Sequence, residues 1–353
     1  MNSKQLKKIN IVGFKSIKES SVELDMLNVL IGSNGAGKSN FISVFTLLNN
    51  VIKKELQKYI AACGGANTFL FNGSKETTLM RLHFKFGSNS YGFDLSKTDN
   101  DTFYFEDEWF GYHYSVNYIR SISSGHPESK LEKEIGNGIT WRVYHFHDTS
   151  RNARIKTSCD LADNMYLQFD AGNLAAFLLR LKNEHKNNYD DIIKTIQLIA
   201  PYFSDFILVP SNGSGSILLK WRQVGSDDIF NANQFSDGTL RFICLAVLLL
   251  QPKELQPETI IIDEPELGLH PYAVTIFSEL AKKISCNKQI ILSTQSVDLL
   301  SEFESKDIIV VDRTIEGSTF KRLNEEELKE WLENDYSLGE LWKKNILGGR
   351  LSK

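Results

Sequence analysis

The chain is poor in the features that mark several common protein classes. Its 353 residues include four cysteines, Cys63, Cys159, Cys244 and Cys286, and no two of them make a C-x-x-C pair. Neither a disulfide framework nor a cysteine zinc site is suggested, and a reducing cytosol is the natural compartment. Long apolar runs are missing. The longest, Phe242–Leu250, falls far short of the roughly 20 residues a membrane helix needs, so no membrane is expected. The opening residues MNSKQLKKIN lack the apolar core of a signal peptide. An excess of one charge is also missing: the net charge is −4 and the pI is about 6.0. That excludes a basic nucleic-acid-coating protein, although a local basic patch stays open. No internal repeat, heptad run or low-complexity segment occurs, which excludes a long coiled coil. The apolar content of 42% is ordinary for a globular protein, and the length accommodates two or three domains, or one large domain with an insertion.

What is present is a phosphate-binding loop. The stretch GSNGAGKSN at positions 32–40 fits G-x-x-x-x-G-K-S. It follows a candidate strand, Leu27–Ile31, and precedes an apolar-rich run, Phe41–Leu48, so the strand–loop–helix context is right. Backbone N–H groups of residues 34–39 would wrap a β-phosphate, and the glycines permit that approach. Asn34, Gly35, Gly37, Lys38, Ser39 and Asn40 are therefore the candidate nucleotide-binding residues. Lys38 would contact the β- and γ-phosphates, and Ser39 would ligand Mg²⁺.

A second element is Ile260-Ile261-Ile262-Asp263-Glu264-Pro265. Three isoleucines make a buried strand, and two acids emerge at its C-terminal end, where ligands sit in open α/β sheets. Asp263 suits the Mg²⁺ shell, directly or through water. Glu264 suits the general base that orients the attacking water. A third element, FSDGTLRF at 235–242, begins a helix in which Ser236 or Asp237 can cap and Gly238 lets the backbone approach an anion.

Around these, residues 6–31 read as two strands, with Leu6–Phe14, the alternating Ser21–Asp25 and the run Leu27–Ile31. A helix of about 20 residues is expected from the loop to Ala62, ending at Cys63-Gly64-Gly65. Residues 77–150 look β-rich, with Thr78–Phe86, Tyr91–Leu95, Phe103–Glu106 and Trp141–His147 as strands and a polar loop at 120–138. Residues 172–200 look helical and 206–231 return to strands. The last third alternates helix and buried strand, with parallel-sheet character.

The order and spacing of the three elements resemble the soluble ATP-binding-cassette ATPases related to the structural-maintenance-of-chromosomes, RecF and overcoming-lysogenisation-defect families. The small bacterial members labelled AAA-family ATPases are the most similar. The residues that carry the resemblance are Ile11–Ile17, GSNGAGKSN, FSDGTLRF, IIIDEPELGLHP, Ile290–Ser296 and Ser337–Gly349. It is dense over 6–48 and 233–349, and the middle matches only in layout. It implies an α/β cassette-type ATPase head with a β-rich subdomain and a helical, signature-bearing lobe. The expected division is 1–75 for the N-terminal part of the core, 76–232 for an inserted region and 233–353 for the C-terminal part. It implies that FSDGTLRF stands for the signature motif, so that Ser236 and Gly238 meet a γ-phosphate held by a second subunit. Glu266–Pro271 looks like the D-loop region. Gln295 falls where cassette ATPases usually carry a switch histidine, and a glutamine there cannot become charged. The Q-loop glutamine finds no match at Gln168, Gln197, Gln223 or Gln234, and the adenine-stacking residue has no assignment.

By this resemblance the expected activity is Mg²⁺-dependent ATP hydrolysis with Glu264, Lys38 and Gln295 as the catalytic set. The expected assembly is a head-to-tail homodimer around two ATP molecules. The object it governs would be an effector such as a nuclease or toxin in bacterial antiphage defence. The alternatives are a DNA-binding repair ATPase, and a scaffold that binds ATP but hydrolyses little. Three further groups stand apart. His145, His147 and Asp148 could hold a metal but read more simply as a polar strand face. Arg142, Arg151, Arg154 and Lys156 could touch nucleic-acid phosphates or form a solvated face. Phe103, Tyr104, Phe105, Trp109, Phe110, Tyr112 and Tyr114 read as packing rather than base stacking.

Overall fold

The computed structural model describes residues 5–87, 89–112, 118–121, 124–131, 141–211, 213–334 and 336–349. Tyr114 and the 122–123 and 132–138 parts of the polar stretch lie outside them. The chain divides into two compact units, Met1–Val143 with Gln289–Lys353, and Tyr144–Lys288. Both mix helix and strand, as the α/β reading expected. Among the described residues no helix is long and apolar enough to cross a membrane.

In the first unit an antiparallel sheet takes its strands in the order Ile17–Glu23, Leu6–Phe14, Leu79–Phe86, Asn89–Lys97, Phe103–Tyr112, Tyr118–Ser121. Residues 6–31 thus hold three strands, not two. Lys15 adopts φ 47, which closes a tight hairpin in which Phe14 pairs with Ile17. A second group of strands is parallel at its centre. Leu27–Ile31 lies between Gln289–Thr294 and Ile308–Thr314, and Gly317–Arg322 pairs antiparallel with the last of these. Every residue of Leu27–Ile31 is buried, as is every residue of Gln289–Thr294. Covered on both faces, such strands read as continuous apolar runs rather than alternating ones.

The helix after the loop is two helices, Lys38–Ile52 and Leu56–Ala62. Its apolar stripe of Phe41, Val44, Phe45, Leu48 and Val51 is buried at three-to-four spacing as expected. The break comes where Lys54 takes φ 59. The second helix is then restarted by Glu128, whose carboxylate accepts from the N–H groups of Leu56 and Gln57, both at 2.9 Å. That cap comes from far along the chain, so no local pattern announces it. The expected stop at Gly64 and Gly65 holds, with both at positive φ. In the antiparallel sheet Phe103, Phe105 and Phe110 are buried and pack as core, while Tyr104 and Trp109 are half-buried.

The second unit carries helices Leu174–Glu184, Lys186–Ile199, Asp237–Leu250 and Pro271–Ser285, with the buried strand Thr259–Asp263. A small antiparallel sheet of Phe203–Ile207, Lys220–Gln223 and Ile229–Asn231 accompanies them. Trp221 of this sheet stacks on Phe235, with centroids 4.4 Å apart, which fixes the residue just before Ser236. The strand expected over Trp141–His147 ends at Tyr144. The His145 N–H leaves the ladder and donates to Phe169 O at 2.9 Å.

One buried polar side chain ties the first unit together. Gln289 is 1% exposed. Its amide donates to Leu6 O (2.7 Å) and Asp25 O (2.8 Å), and its carbonyl accepts from Leu6 N–H (3.2 Å). Replacing Gln289 with Met keeps the volume and strands these backbone groups, which should cost on the order of 3 kcal/mol. Urea unfolding of Gln289→Met should show a lower midpoint at unchanged slope; an unchanged midpoint would refute the role given to this side chain.

Candidate functional site

The phosphate loop is shaped by close backbone packing within the first unit. A Cβ on Gly32 would lie 2.4 Å from Val311 O, and one on Gly37, at φ 120, would lie 2.2 Å from Ser318 Oγ. Gly35, at φ 79, faces open space, so its need for glycine is conformational alone. Ser16 braces the base of the loop: its hydroxyl accepts from Asn40 Nδ2 and from Ser318 Oγ, both at 2.8 Å. Ser33 N–H donates to Gly349 O at 3.0 Å, which links the familial tail to the loop itself.

The helix that follows has Gly37 at its N-cap, no side-chain cap and no acid in its first turn. A helix N-terminus left this way favours an anion through its N–H groups and its dipole. Lys38 is 5% exposed, and its ammonium donates to Gly32 O (2.6 Å) and Ser33 O (3.2 Å). Ser33 Oγ is buried with no hydrogen-bond partner among the described residues. A buried cation at the loop, an uncapped helix start and an orphaned hydroxyl fit a phosphate group. Strand register brings Gln295 to the same place. Thr294 pairs with Ile31, so Gln295 follows at the level where Gly32 starts the loop. An open groove of about 520 Å³ in this unit is walled by Phe71, Thr77, Lys18 and Ile315.

In the second unit Asp263 closes its strand at 9% exposure. Glu264 follows with φ 45, a left-handed backbone that a non-glycine residue adopts only when its surroundings impose it. Two histidines expected on a polar strand face meet Asp263 instead. His147 Nε2 is 2.8 Å from Asp263 O, and His145 Nδ1 is 3.9 Å from Asp263 Oδ2. Burial holds the His145 imidazole below its ordinary range; Asp263 opposes that shift and His147 adds to it. These rings lie beyond the strand end, so the polar strand face expected for them is not formed. Among the described residues no group of three or more His, Cys, Asp and Glu could hold a metal. No sequence signal short of the fold would have paired this segment with Asp263.

Ser236 is the N-cap of helix Asp237–Leu250 and accepts from Thr239 N–H at 3.1 Å, which decides between the two caps considered. A Cβ on Gly238 would lie 2.3 Å from Gly268 O, so the close approach of the 267–268 turn requires glycine at 238 by packing alone. Gly268 has φ 74, and His270 and Pro271 open the next helix. Of the basic stretch, Arg154 pairs with Asp170 at 3.1 Å and Lys156 with Asp237 at 3.6 Å, which ties both to acids of their own unit. Three of the unplaced glutamines have structural work: Gln168 bonds Asp163, Gln197 bonds Phe203 O and Ser204 O, and Gln234 caps Asn231. The candidate residues therefore fall into two sets. Residues 34–40 and Gln295 belong to the first unit, and Ser236, Gly238, Asp263 and Glu264 belong to the second.

Known proteins match the chain along most of its length. A family described as "AAA domain, putative AbiEii toxin, Type IV TA system" matches residues 27–301. The Old nuclease of Escherichia phage P2 is 23% identical over 386 residues, which covers 92% of this chain and 62% of that protein. The chain thus spans less than two thirds of that relative's length. Among solved structures, an Smc head bound to the C-terminal winged-helix domain of ScpA matches with a TM-score of 0.62 at 15% identity, covering 92% of this chain and 99% of that one. An Smc head with an extended coiled coil, bound to a ScpA C-terminal domain derived from Pyrococcus furiosus, matches with a TM-score of 0.62 at 14% identity, covering 94% and 99%. The fold is that of an Smc head domain.

Gly238→Ala drives a methyl group into the Gly268 carbonyl. It should destabilise the chain by about 1–3 kcal/mol. Thermal unfolding checks this, and an unchanged midpoint would refute the packing role given to Gly238.

Proposed function

The chain belongs to the AAA-domain family described as "AAA domain, putative AbiEii toxin, Type IV TA system", and from that premise we propose that it binds and hydrolyses ATP to control a toxic effector. The observation that carries this reading is the uncapped start of helix Lys38–Ile52 with the buried Lys38 ammonium at its loop. Backbone N–H groups of residues 34–39 take the β-phosphate, and Lys38 lies between the β- and γ-phosphates. Ser39 and Asp263 are the residues that would hold Mg²⁺, which supplies charge neutralisation on the phosphate oxygens. Glu264 accepts the proton of the attacking water, and Gln295 hydrogen-bonds that water or the γ-phosphate without carrying charge.

The motifs divide between two chains. Ser236 and Gly238 of one copy meet the γ-phosphate bound by the other, so that two ATP molecules join a head-to-tail dimer. Hydrolysis removes the contact and loosens the pair. The object of this cycle is a partner, a nuclease or toxin carried by another chain. The family description names a toxin and a toxin–antitoxin system, and the phage relative is named a nuclease, both of which favour a defence role. The Smc heads were solved with ScpA bound, and that supports a head that works through a protein partner.

Two variants separate binding from turnover. Lys38→Ala should lower ATP affinity at least 100-fold. Glu264→Gln should keep affinity, slow phosphate release at least 100-fold and accumulate as an ATP-bound dimer by light scattering. ATP turnover that survives Glu264→Gln would overturn the assignment.

A further inference from the structure

Arg241 of the FSDGTLRF segment holds two separate stretches of the second unit, Phe146–Thr149 and the turn at Leu267. Its Nε donates to Phe146 O at 3.3 Å and its Nη1 to Leu267 O at 2.9 Å. Its Nη2 donates to His147 O at 2.9 Å and to Thr149 Oγ1 at 3.2 Å. These bonds occupy most of the guanidinium's five N–H groups in a rigid planar fork, which lysine cannot reproduce. Room for the fork is made by glycine: a Cβ on Gly268 would lie 2.5 Å from Arg241 Nη1.

Each held stretch touches the acid pair. The ring of His147 bonds Asp263 O at 2.8 Å. Leu267 N–H bonds Glu264 O at 3.3 Å. Arg241 therefore reaches the peptide before Glu264 through His147, and the turn after it through Leu267. Glu264 itself sits at φ 45, a backbone state that needs such bracketing to persist. A cavity of about 10 Å³ is enclosed by Arg241, His147, Phe146, Asp263 and Glu264 among others, room for about one water. Arg241 is also in the first turn and a half of the helix capped by Ser236, and Gly238 of that turn packs on Gly268.

We infer that Arg241 is a positioning residue that joins the Ser236–Gly238 segment to Glu264, so that contact made at the signature segment sets the carboxylate for hydrolysis. The inference rests on the reading above, in which Glu264 activates water and the signature segment meets ATP held by a second copy. Arg241 touches neither ATP nor the attacking water in this scheme. It acts through His147 and Leu267.

The test uses the purified 353-residue chain with Arg241→Gln and Arg241→Lys, compared at equal folded fraction by circular dichroism. Three quantities are measured: affinity for a fluorescent ATP analogue, kcat for phosphate release, and the dependence of specific activity on protein concentration. Both variants should bind the analogue within twofold of the parent chain. Arg241→Gln should lose at least 20-fold in kcat and Arg241→Lys at least 5-fold, and the rise of specific activity with concentration should flatten. A merely structural role would lower the folded fraction and leave kcat per folded molecule unchanged. A kcat within twofold of the parent in Arg241→Lys would overturn the proposal, also where Arg241→Gln does not fold. Failure of the underlying reading looks different: Glu264→Gln would then release phosphate as fast as the parent chain.

Discussion

The helix Lys38–Ile52 begins without a side chain to meet its first N–H groups, and the first unit is arranged around that start. A buried parallel strand delivers the chain to Gly32, and close packing against Val311 and Ser318 leaves no room for side chains on Gly32 or Gly37. Ser16 braces the far side through Asn40 and Ser318. Gln289 anchors the neighbouring strand to the antiparallel sheet. The unsatisfied helix end is kept aimed at one place, and an anion is the group that completes it. Stability and binding are linked here: the same glycines that let phosphate approach are demanded by the loop's own packing.

The second unit follows a similar logic with opposite charge. A strand of buried isoleucines carries Asp263 and Glu264 to its end, and Glu264 is held in a backbone state it would not choose alone. His147, the turn at Leu267 and Arg241 surround it. Strain of this kind persists because several contacts over-determine it, and it is commonly found where a side chain must be aimed. Close approach of Gly238 to Gly268 makes the Ser236–Gly238 segment and the turn at Gly268 one packed piece.

Much of this was legible in the sequence because the informative elements are local. The phosphate loop, the isoleucine strand with its acids, the helix capped by Ser236 and the alternating strand at 79–86 each declare themselves by residue type and spacing. What escaped was long-range. Glu128 restarting a helix at Leu56 depends on residues far apart in sequence. The hairpin at Lys15 turns on a left-handed lysine that composition does not mark. His145 and His147 looked like a strand face, and their meeting with Asp263 exists only once Tyr144–Lys288 has folded. Arg241 carries no signal beyond its place in FSDGTLRF, and its carbonyl partners exist only in the fold. Gln295 was noticed as a departure from a family pattern, and strand register then gave it a position beside the loop.

The central claim is that each nucleotide site is completed by two copies of the chain. Mixing two inactive variants tests it most directly. Lys38→Ala spoils the loop and spares the signature segment, while Ser236→Arg does the reverse. If sites form between copies, an equimolar mixture contains heterodimers with one intact site, and ATPase activity should rise well above the sum of the separate variants. A mixture no more active than that sum would contradict the account and place the whole reaction within a single chain.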